Sequence, residues 1–220
     1  MGEMGRLPTG RLSPLAARVE AVLSLYDYEI KPAIDAIDAA VPGYGGLFDP
    51  ETTDAELRAA VDEVAAADAP SSPLSAGVSA PSEVVLYVDG SARGNPGPAG
   101  AGAVLRAENE PIARLGCPVG SHTGNNAAEY AALHLGLDGL AARCEPASVE
   151  IRIDSMTVVN DVWGDGDGTG DAGPATPHAD AIDSHLSALP AHRWTHLADS
   201  DPNPADSRAT VAADLAALSP

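Results

Sequence analysis

The sequence predicts an α/β protein: a mixed five-stranded sheet flanked by helices, preceded by a small helical unit. Three observations predict it. Short apolar runs of strand length recur after residue 83, interleaved with segments whose apolar residues return at helical spacing. Before residue 68 the apolar residues follow helical spacing alone. Between the two lies a stretch rich in Ala, Pro, Ser and Gly, the composition of a linker. From residue 83 the order reads β-β-β-α-β-α-α-β-α, which implies strands in both directions within one helix-covered sheet.

The elements follow in order. Leu15, Val19, Val22, Leu23, Tyr26, Ile30, Ile34 and Ile37 fall at helical spacing across residues 13–40. Ser13 is a natural cap, Pro14 fits the first helical position, and Pro32 is expected to kink or divide the run. Pro42, Gly43, Gly45 and Gly46 break it. A second helix is expected over residues 53–67, capped by Thr53 or Asp54, with Leu57, Ala60, Val61 and Val64 on one face. Residues 83–89 form the first strand. Residues 101–107 and 111–119 form two more, joined by a turn at Glu108 and Asn109. A helix over 125–142, a strand over 148–154 and a short helix through Val158 and Val162 come next. A Gly/Asp-rich loop over 165–177 leads to a helix at 179–189, a strand at 192–197 and a last helix at 204–218. The division is therefore a helical N-terminal unit (1–68), a linker (69–82) and a larger domain (83–220).

Composition narrows the function. Apolar residues make up 45% of the 220, enough for a core in both parts, but aromatic residues are only 4%, so packing rests on Ala, Val, Leu and Ile. Acidic residues outnumber basic ones 32 to 12, a formal net charge of -20, and Lys31 is the only lysine. Such a balance opposes phosphate binding at ordinary salt. The acidic residues are spread along an otherwise ordinary apolar pattern, which argues against disorder and against an acidic tail. Adaptation to very high salt remains, where the Debye length falls to about 3 Å at 1 M and surface repulsion is screened. Abundant Asp, Glu and Ala with scarce Lys resembles the proteins of salt-loving archaea. Cys117 and Cys144 are too few for a disulfide framework or a zinc cluster and are expected as buried thiols in a reducing cytoplasm. No signal segment and no membrane-length apolar stretch is apparent, so a cytoplasmic protein is expected.

Four carboxylates stand out by position. Asp89 and Asp154 are expected to close strands, Glu129 lies one turn into a helix, and Asp206 opens the last one. Grouped, such residues bind hard divalent cations through oxygen. Each also sits in a local motif. Asp89-Gly-Ser-Ala-Arg-Gly-Asn-Pro-Gly97 is followed by Gly100, Gly102 and Ala103. Asn125-Asn126-Ala-Ala-Glu129-Tyr130 opens the long helix. Ile153-Asp154-Ser155 precedes Val158-Val159-Asn160, and Asn203-Pro-Ala-Asp206 begins the final element.

In this order and at these separations the motifs resemble those of type 1 ribonuclease H, over residues 83–218. The resemblance implies a ribonuclease H-like fold and an endonuclease that hydrolyses the RNA strand of RNA–DNA hybrids. It implies two magnesium or manganese ions held by Asp89, Glu129, Asp154 and Asp206, with Asp206 also placed to aid product release. Gly90, Ser91, Asn95, Asn125, Asn126 and Ser155 would lie along the hybrid, where small and short polar residues suit a minor groove bearing 2′-hydroxyls. A tight turn and a helix cap are the plainer reading of the glycines and asparagines.

The chain departs from the family in several places. Many members carry a mobile histidine between the last strand and the final Asp, but residues 198–203 contain none. His196 just before and His178 earlier are read as surface residues or as candidates to assist. Gly124 stands where a threonine often contacts phosphate, with Thr123 adjacent, and Met156 replaces a residue that is commonly polar. Trp163 and Trp194 read as core residues before stacking platforms. The N-terminal unit lacks the basic and aromatic clusters of a hybrid-binding module. An oligomerisation element, a lid and a partner-docking surface all remain open for it. Two rivals stand beside the nuclease: a non-catalytic adaptor that keeps the fold, and another nuclease of the same superfold. A carbohydrate-cleaving carboxylate pair is more distant, since it leaves these motifs without a role.

Overall fold

A computed structural model describes residues 4, 6–67, 81–163, 177–198 and 200–219, without the side chains of residues 160–163. The expected 69–82 linker, up to residue 80, and nearly all of the expected 165–177 loop lie outside the described residues, as does the side chain of Trp163. The elements are α1 (Pro14–Leu25), α2 (Ile30–Ala40), α3 (Asp54–Ala66), β1 (Glu83–Ala92), β2 (Gly97–Ala107), β3 (Glu110–Thr123) and α4 (Asn125–Arg143). They continue with β4 (Ser148–Ile153), α5 (Met156–Trp163), α6 (Ala179–Ala188), β5 (His192–His196) and α7 (Asp206–Ala216).

The strands order as β3-β2-β1-β4-β5. β1, β2 and β3 pair antiparallel, and β1, β4 and β5 pair parallel, so the sheet is mixed as expected. The β2–β3 turn is at Glu108 and Asn109, both at positive φ (52° and 69°), the backbone that a two-residue hairpin turn requires. The first two strands are longer than the apolar runs that announce them. β1 continues through Ser91 to Ala92, and β2 begins at Gly97. Gly, Ser and Ala carry no strand signal, and it is the pairing of Ser91 with Gly100 and Ala92 with Ala99 that makes them strand.

Alternation along the strands sorts the two faces. Leu86 and Val88 point toward α4, where they crowd Gly136; Gly100 and Gly102 meet α7, whose Ala209 and Ala213 backbones approach them directly. The two helices therefore cover opposite faces. A Cβ on Gly102 would stand 2.4 Å from the Ala209 nitrogen, so glycine is what permits this closeness.

The N-terminal helices share a core with the sheet. Leu15, Val19, Val22, Leu23, Ile30 and Ile37 are buried in the same apolar cluster as Leu105, Leu115 and Leu135. The helical run does divide, although not at Pro32. The break falls at Asp27 and Tyr28, which take positive φ (49° and 58°). Pro32 sits in the first turn of α2, where no intrahelical N–H is lost. The break has a purpose in packing: Tyr28 is wholly buried, its hydroxyl donates to Glu20 (3.1 Å), and its carbonyl accepts from Gly116 N–H of β3 (3.0 Å). Arg143 of α4 donates to the Asp27 carbonyl (3.0 Å). Gly10 N–H donates to the Val119 carbonyl and Ser121 N–H to the Arg11 carbonyl (2.6 and 2.9 Å). These bonds run along β3, the outer strand, and satisfy backbone groups that an uncovered sheet edge would leave open. α3 begins with a reciprocal cap, Thr53 N–H donating to Glu56 (2.9 Å) and Glu56 N–H to the Thr53 hydroxyl (3.3 Å).

Because one core spans both parts, Leu23→Ala is expected to cost about 2–5 kcal/mol. Denaturant unfolding followed at Trp194, far along the chain in β5, should shift with far-ultraviolet dichroism in one transition. Separate transitions would show the N-terminal helices to be merely docked.

Candidate functional site

The β1–β4 parallel ladder ends at Tyr87 opposite Arg152. Asp89 and Asp154 each lie two residues beyond that last pair, side by side where the strands separate. Asp154 immediately follows β4, one residue beyond the strand's last residue, Ile153. Asp89 instead lies inside β1, opposite Gly102, because β1 keeps pairing with β2 after it has left β4. This is the carboxyl end of parallel strands, where open α/β sheets place their ligands.

Glu129 reaches the same place from the other face. α4 passes so close to β1 that a Cβ on Gly90 would stand 2.4 Å from the Glu129 nitrogen. With glycine there, Gly90 N–H donates to the Glu129 carboxylate (3.1 Å), and the Asn125 amide donates to its other oxygen (3.4 Å). Carboxylate oxygens of Asp89, Glu129 and Asp154 lie within 4.8 Å of one another. Asp206, first residue of α7, joins Asp89 and Asp154 in the wall of a cavity of about 250 Å³, with Leu197, Ala198, Asp201 and Asn203.

The electrostatics of this cluster are unfavourable by themselves. Burial, with the charges of Asp154 and Asp206, pushes the Asp89 carboxyl up to about 7. Burial, with Asp89 and Asp154, pushes Glu129 up to about 9, against the opposing hydrogen bonds from Gly90 and Asn125. Among the described residues, no cationic side chain lines the cavity. A set of close oxygen donors, two of them buried and lacking a counter-charge, fits hard divalent cations.

The remaining expected residues spread around this centre. Ser91 is half-buried in β1, opposite Gly100. Asn95, exposed in the β1–β2 loop, accepts from Asn125 N–H (3.3 Å) and so bridges to the start of α4. Asn126 is exposed in the first turn of α4. The Ser155 hydroxyl accepts from Val158 N–H (3.5 Å) at the start of α5. His196 is exposed, its Nε2 3.1 Å from the Asp154 carbonyl. His178 is no surface residue: it is 3% exposed, packed on His134 of α4, because the turn before α6 folds inward there. Trp194 is partly buried and packs against the core.

The sequence assigns no role at the site to two residues of the cavity: Asp201, and Asn203, which figures there only as the start of the final motif. The Asn203 amide donates to the Val88 carbonyl (3.0 Å) while its oxygen accepts from Ala205 N–H (3.1 Å), which ties the entry of α7 to β1. Beside that motif, an Asn before Pro ahead of a helix is its local signal. Asp201 accepts from Ala198 N–H (2.9 Å) and faces the cavity from the loop without a histidine. One more Asp in so acidic a chain carries no signal.

Comparison with known proteins agrees with this architecture. The family model described as RNase H matches residues 81–180. A curated ribonuclease H of Polaromonas naphthalenivorans (strain CJ2) is 36% identical over 85 residues, which are 39% of this chain and 50% of that protein. The chain thus spans about half the length of the curated ribonucleases H it matches. The crystal structure of RNase H1 from the halophilic archaeon Halobacterium salinarum NRC-1 is 30% identical, covering 60% of this chain and 98% of that one, with a TM-score of 0.52. The structure of LC11-RNase H1 in complex with RNA/DNA hybrid is 29% identical, covering 60% and 96%, also with a TM-score of 0.52. Carboxylates at the ends of two parallel strands and the heads of two helices, on a sheet shared with chains matched nearly end to end, place this protein in the RNase H family.

Proposed function

We propose that the protein is an endonuclease that hydrolyses the RNA strand of RNA–DNA hybrids, leaving 5′-phosphate and 3′-hydroxyl ends. The observation that carries this is the convergence of Asp89, Glu129 and Asp154, with Asp206 in the same cavity wall. In this reading Asp89, Glu129, Asp154 and Asp206 hold two magnesium or manganese ions. When bound, those ions supply an activated water and neutralise charge on the leaving oxygen. The chain's own groups orient the reaction. Gly90 and Asn125 fix both oxygens of Glu129, and Asn203 holds the start of α7 so that Asp206 faces Asp89 across the cavity. In this reading Gly90, Ser91, Asn95, Asn125, Asn126 and Ser155 would lie along the hybrid, with Asn95 and Asn125, joined by a hydrogen bond, offering short polar groups to sugar hydroxyls and phosphates. His196, whose ring nitrogen meets the Asp154 carbonyl, is an imidazole at hand for a proton.

A net charge of -20 and two free, buried cysteines favour a reducing, salt-rich cytoplasm as the working place. Among the described residues no helix is long and apolar enough to cross a membrane.

The deciding test is cleavage of a labelled RNA–DNA hybrid in molar salt, with manganese and magnesium in separate reactions, beside single-stranded RNA, duplex RNA and duplex DNA. Hybrid-selective cutting is expected. Asp89→Asn and Asp154→Asn should each lower kcat about 10³-fold, equivalent to about 4 kcal/mol of transition-state stabilisation. A folded protein that binds hybrid without cutting it would be an adaptor, and preference for another duplex would make it a different nuclease of the superfold.

A second expectation concerns pH. Both carboxyls titrate above their ordinary range near 4, at about 7 and about 9, so between those limits the metal-free folded chain holds protons that the unfolded chain has released. Stability of the metal-free protein should therefore fall as pH rises from about 4 to 9. Ion binding should release protons and tighten with rising pH. Asp89→Asn should raise stability in chelator at pH 8 by about 1–3 kcal/mol while removing activity. Thermal midpoints in chelator across this range, constant or rising for the parent protein, would contradict the coupling.

A further inference from the structure

A second cluster of metal-ligating side chains lies away from the carboxylates, between α4 and α6. His134 and Asp138 are four residues apart on α4 and so share one helix face. His178 and His185 are seven apart, at the start and in the last turn of α6, and so share a face of that helix. The two faces meet. His134 Nδ1 is 3.0 Å from His178 Nδ1, and His185 Nε2 is 2.8 Å from an Asp138 carboxylate oxygen. The His134 and His185 rings lie 6.1 Å apart between centroids. One ligand atom each from His134, Asp138 and His185 falls within 4.8 Å of the others.

We infer that His134, Asp138 and His185 form a second metal site, for a transition-metal ion of the zinc class, which clamps α6 onto α4. Two imidazoles and one carboxylate are a donor set that suits zinc or cobalt, in contrast to the all-oxygen carboxylate cluster, which suits magnesium or manganese. Zinc–nitrogen bonds of about 2.0–2.1 Å place tetrahedral ligand atoms roughly 3.4 Å apart, a spacing the three side chains reach by small rotations. His178 plays the supporting part. Nearly buried, it engages one ring nitrogen of His134 and leaves the other for the ion, as outer partners of ligating histidines do. The role is structural. α6 leads directly into β5, and the residues that follow β5 (Leu197 and Ala198) form part of the cavity wall, while α4 carries Glu129.

The test uses the whole chain in molar salt with the Asp89→Asn substitution as the common background, which weakens ion uptake by the carboxylate cluster. Zinc and cobalt(II) are titrated separately, and bound metal, cobalt absorption and thermal midpoint are read. The background protein should take up one tightly held equivalent, show the intense visible bands of tetrahedral cobalt with imidazole ligands, and melt higher with zinc. Adding His185→Ala, at a side chain only partly buried, should abolish all three. Asp138→Asn, which preserves shape, provides the same comparison should the alanine variant fail to fold. His178→Ala should weaken binding by about 10–100-fold without changing the cobalt spectrum. Equal zinc uptake with and without His185, or a purely octahedral cobalt spectrum, would overturn the site and leave Asp138 and His185 as an ordinary ion pair. Neither outcome depends on nuclease activity.

Discussion

The structure is organised around holding carboxylates together against their mutual repulsion. Asp89 and Glu129 are nearly buried, and Asp154 stands beside both. Bringing such groups out of water costs several kcal/mol per ion unless a cation or proton compensates. A flexible scaffold would relax and let them separate. This one cannot, because the contacts that fix the carboxylates are backbone on backbone. α4 is pressed onto β1 at Gly90, and α7 onto β2 at Gly100 and Gly102. A methyl group at any of these positions would lift a helix and carry a carboxylate away with it.

The glycines around Asp89 are thus part of the site although they offer no functional group. The same holds for Asn203, which sets the approach of α7 from two hydrogen bonds to backbone. Preorganisation of this kind concentrates negative charge in a small volume, and the raised carboxyls of Asp89 and Glu129 are its signature in the metal-free protein. In the proposed reading, what destabilises the metal-free fold is also what would create affinity for divalent cations. Stability and ion binding are consequently opposed at the same residues.

Much of this was legible in the sequence, for reasons that differ from element to element. The succession of strands and helices along the chain, the long helix among them, is written in apolar spacing, which tertiary packing only reinforces. The turn at Glu108 and Asn109 was placed by the two apolar runs that flank it. The clustering of Asp89, Glu129 and Asp154 was legible only through their motifs, since the spacing of acids in so acidic a chain distinguishes nothing. Less legible was whatever depends on contacts made at long range. The ends of β1 and β2 are strand because of their mutual pairing, and their Gly, Ser and Ala residues say nothing of it beforehand. The break at Tyr28 is set by β3 and Glu20 rather than by Pro32, the local breaker. His178 looked like a loop residue because nothing near it in sequence reveals His134, 44 positions earlier.

The N-terminal helices answer a problem that the sheet creates. β3 is an outer strand, and its free edge would invite pairing with another chain. In the salt-rich setting proposed for this chain the hazard would be sharper, because the screening that tolerates a charge of -20 also removes the repulsion that keeps copies apart. Charged side chains on the edge, the usual guard, lose force in that medium. Covering the edge with backbone hydrogen bonds from residues 10, 11 and 28, and burying Leu15, Val19 and Leu23 beneath the same cluster as the sheet, works whatever the ionic strength. Since hydrophobic burial strengthens rather than weakens as most salts rise, an apolar lock on the edge is the guard that suits the surface charge this chain carries.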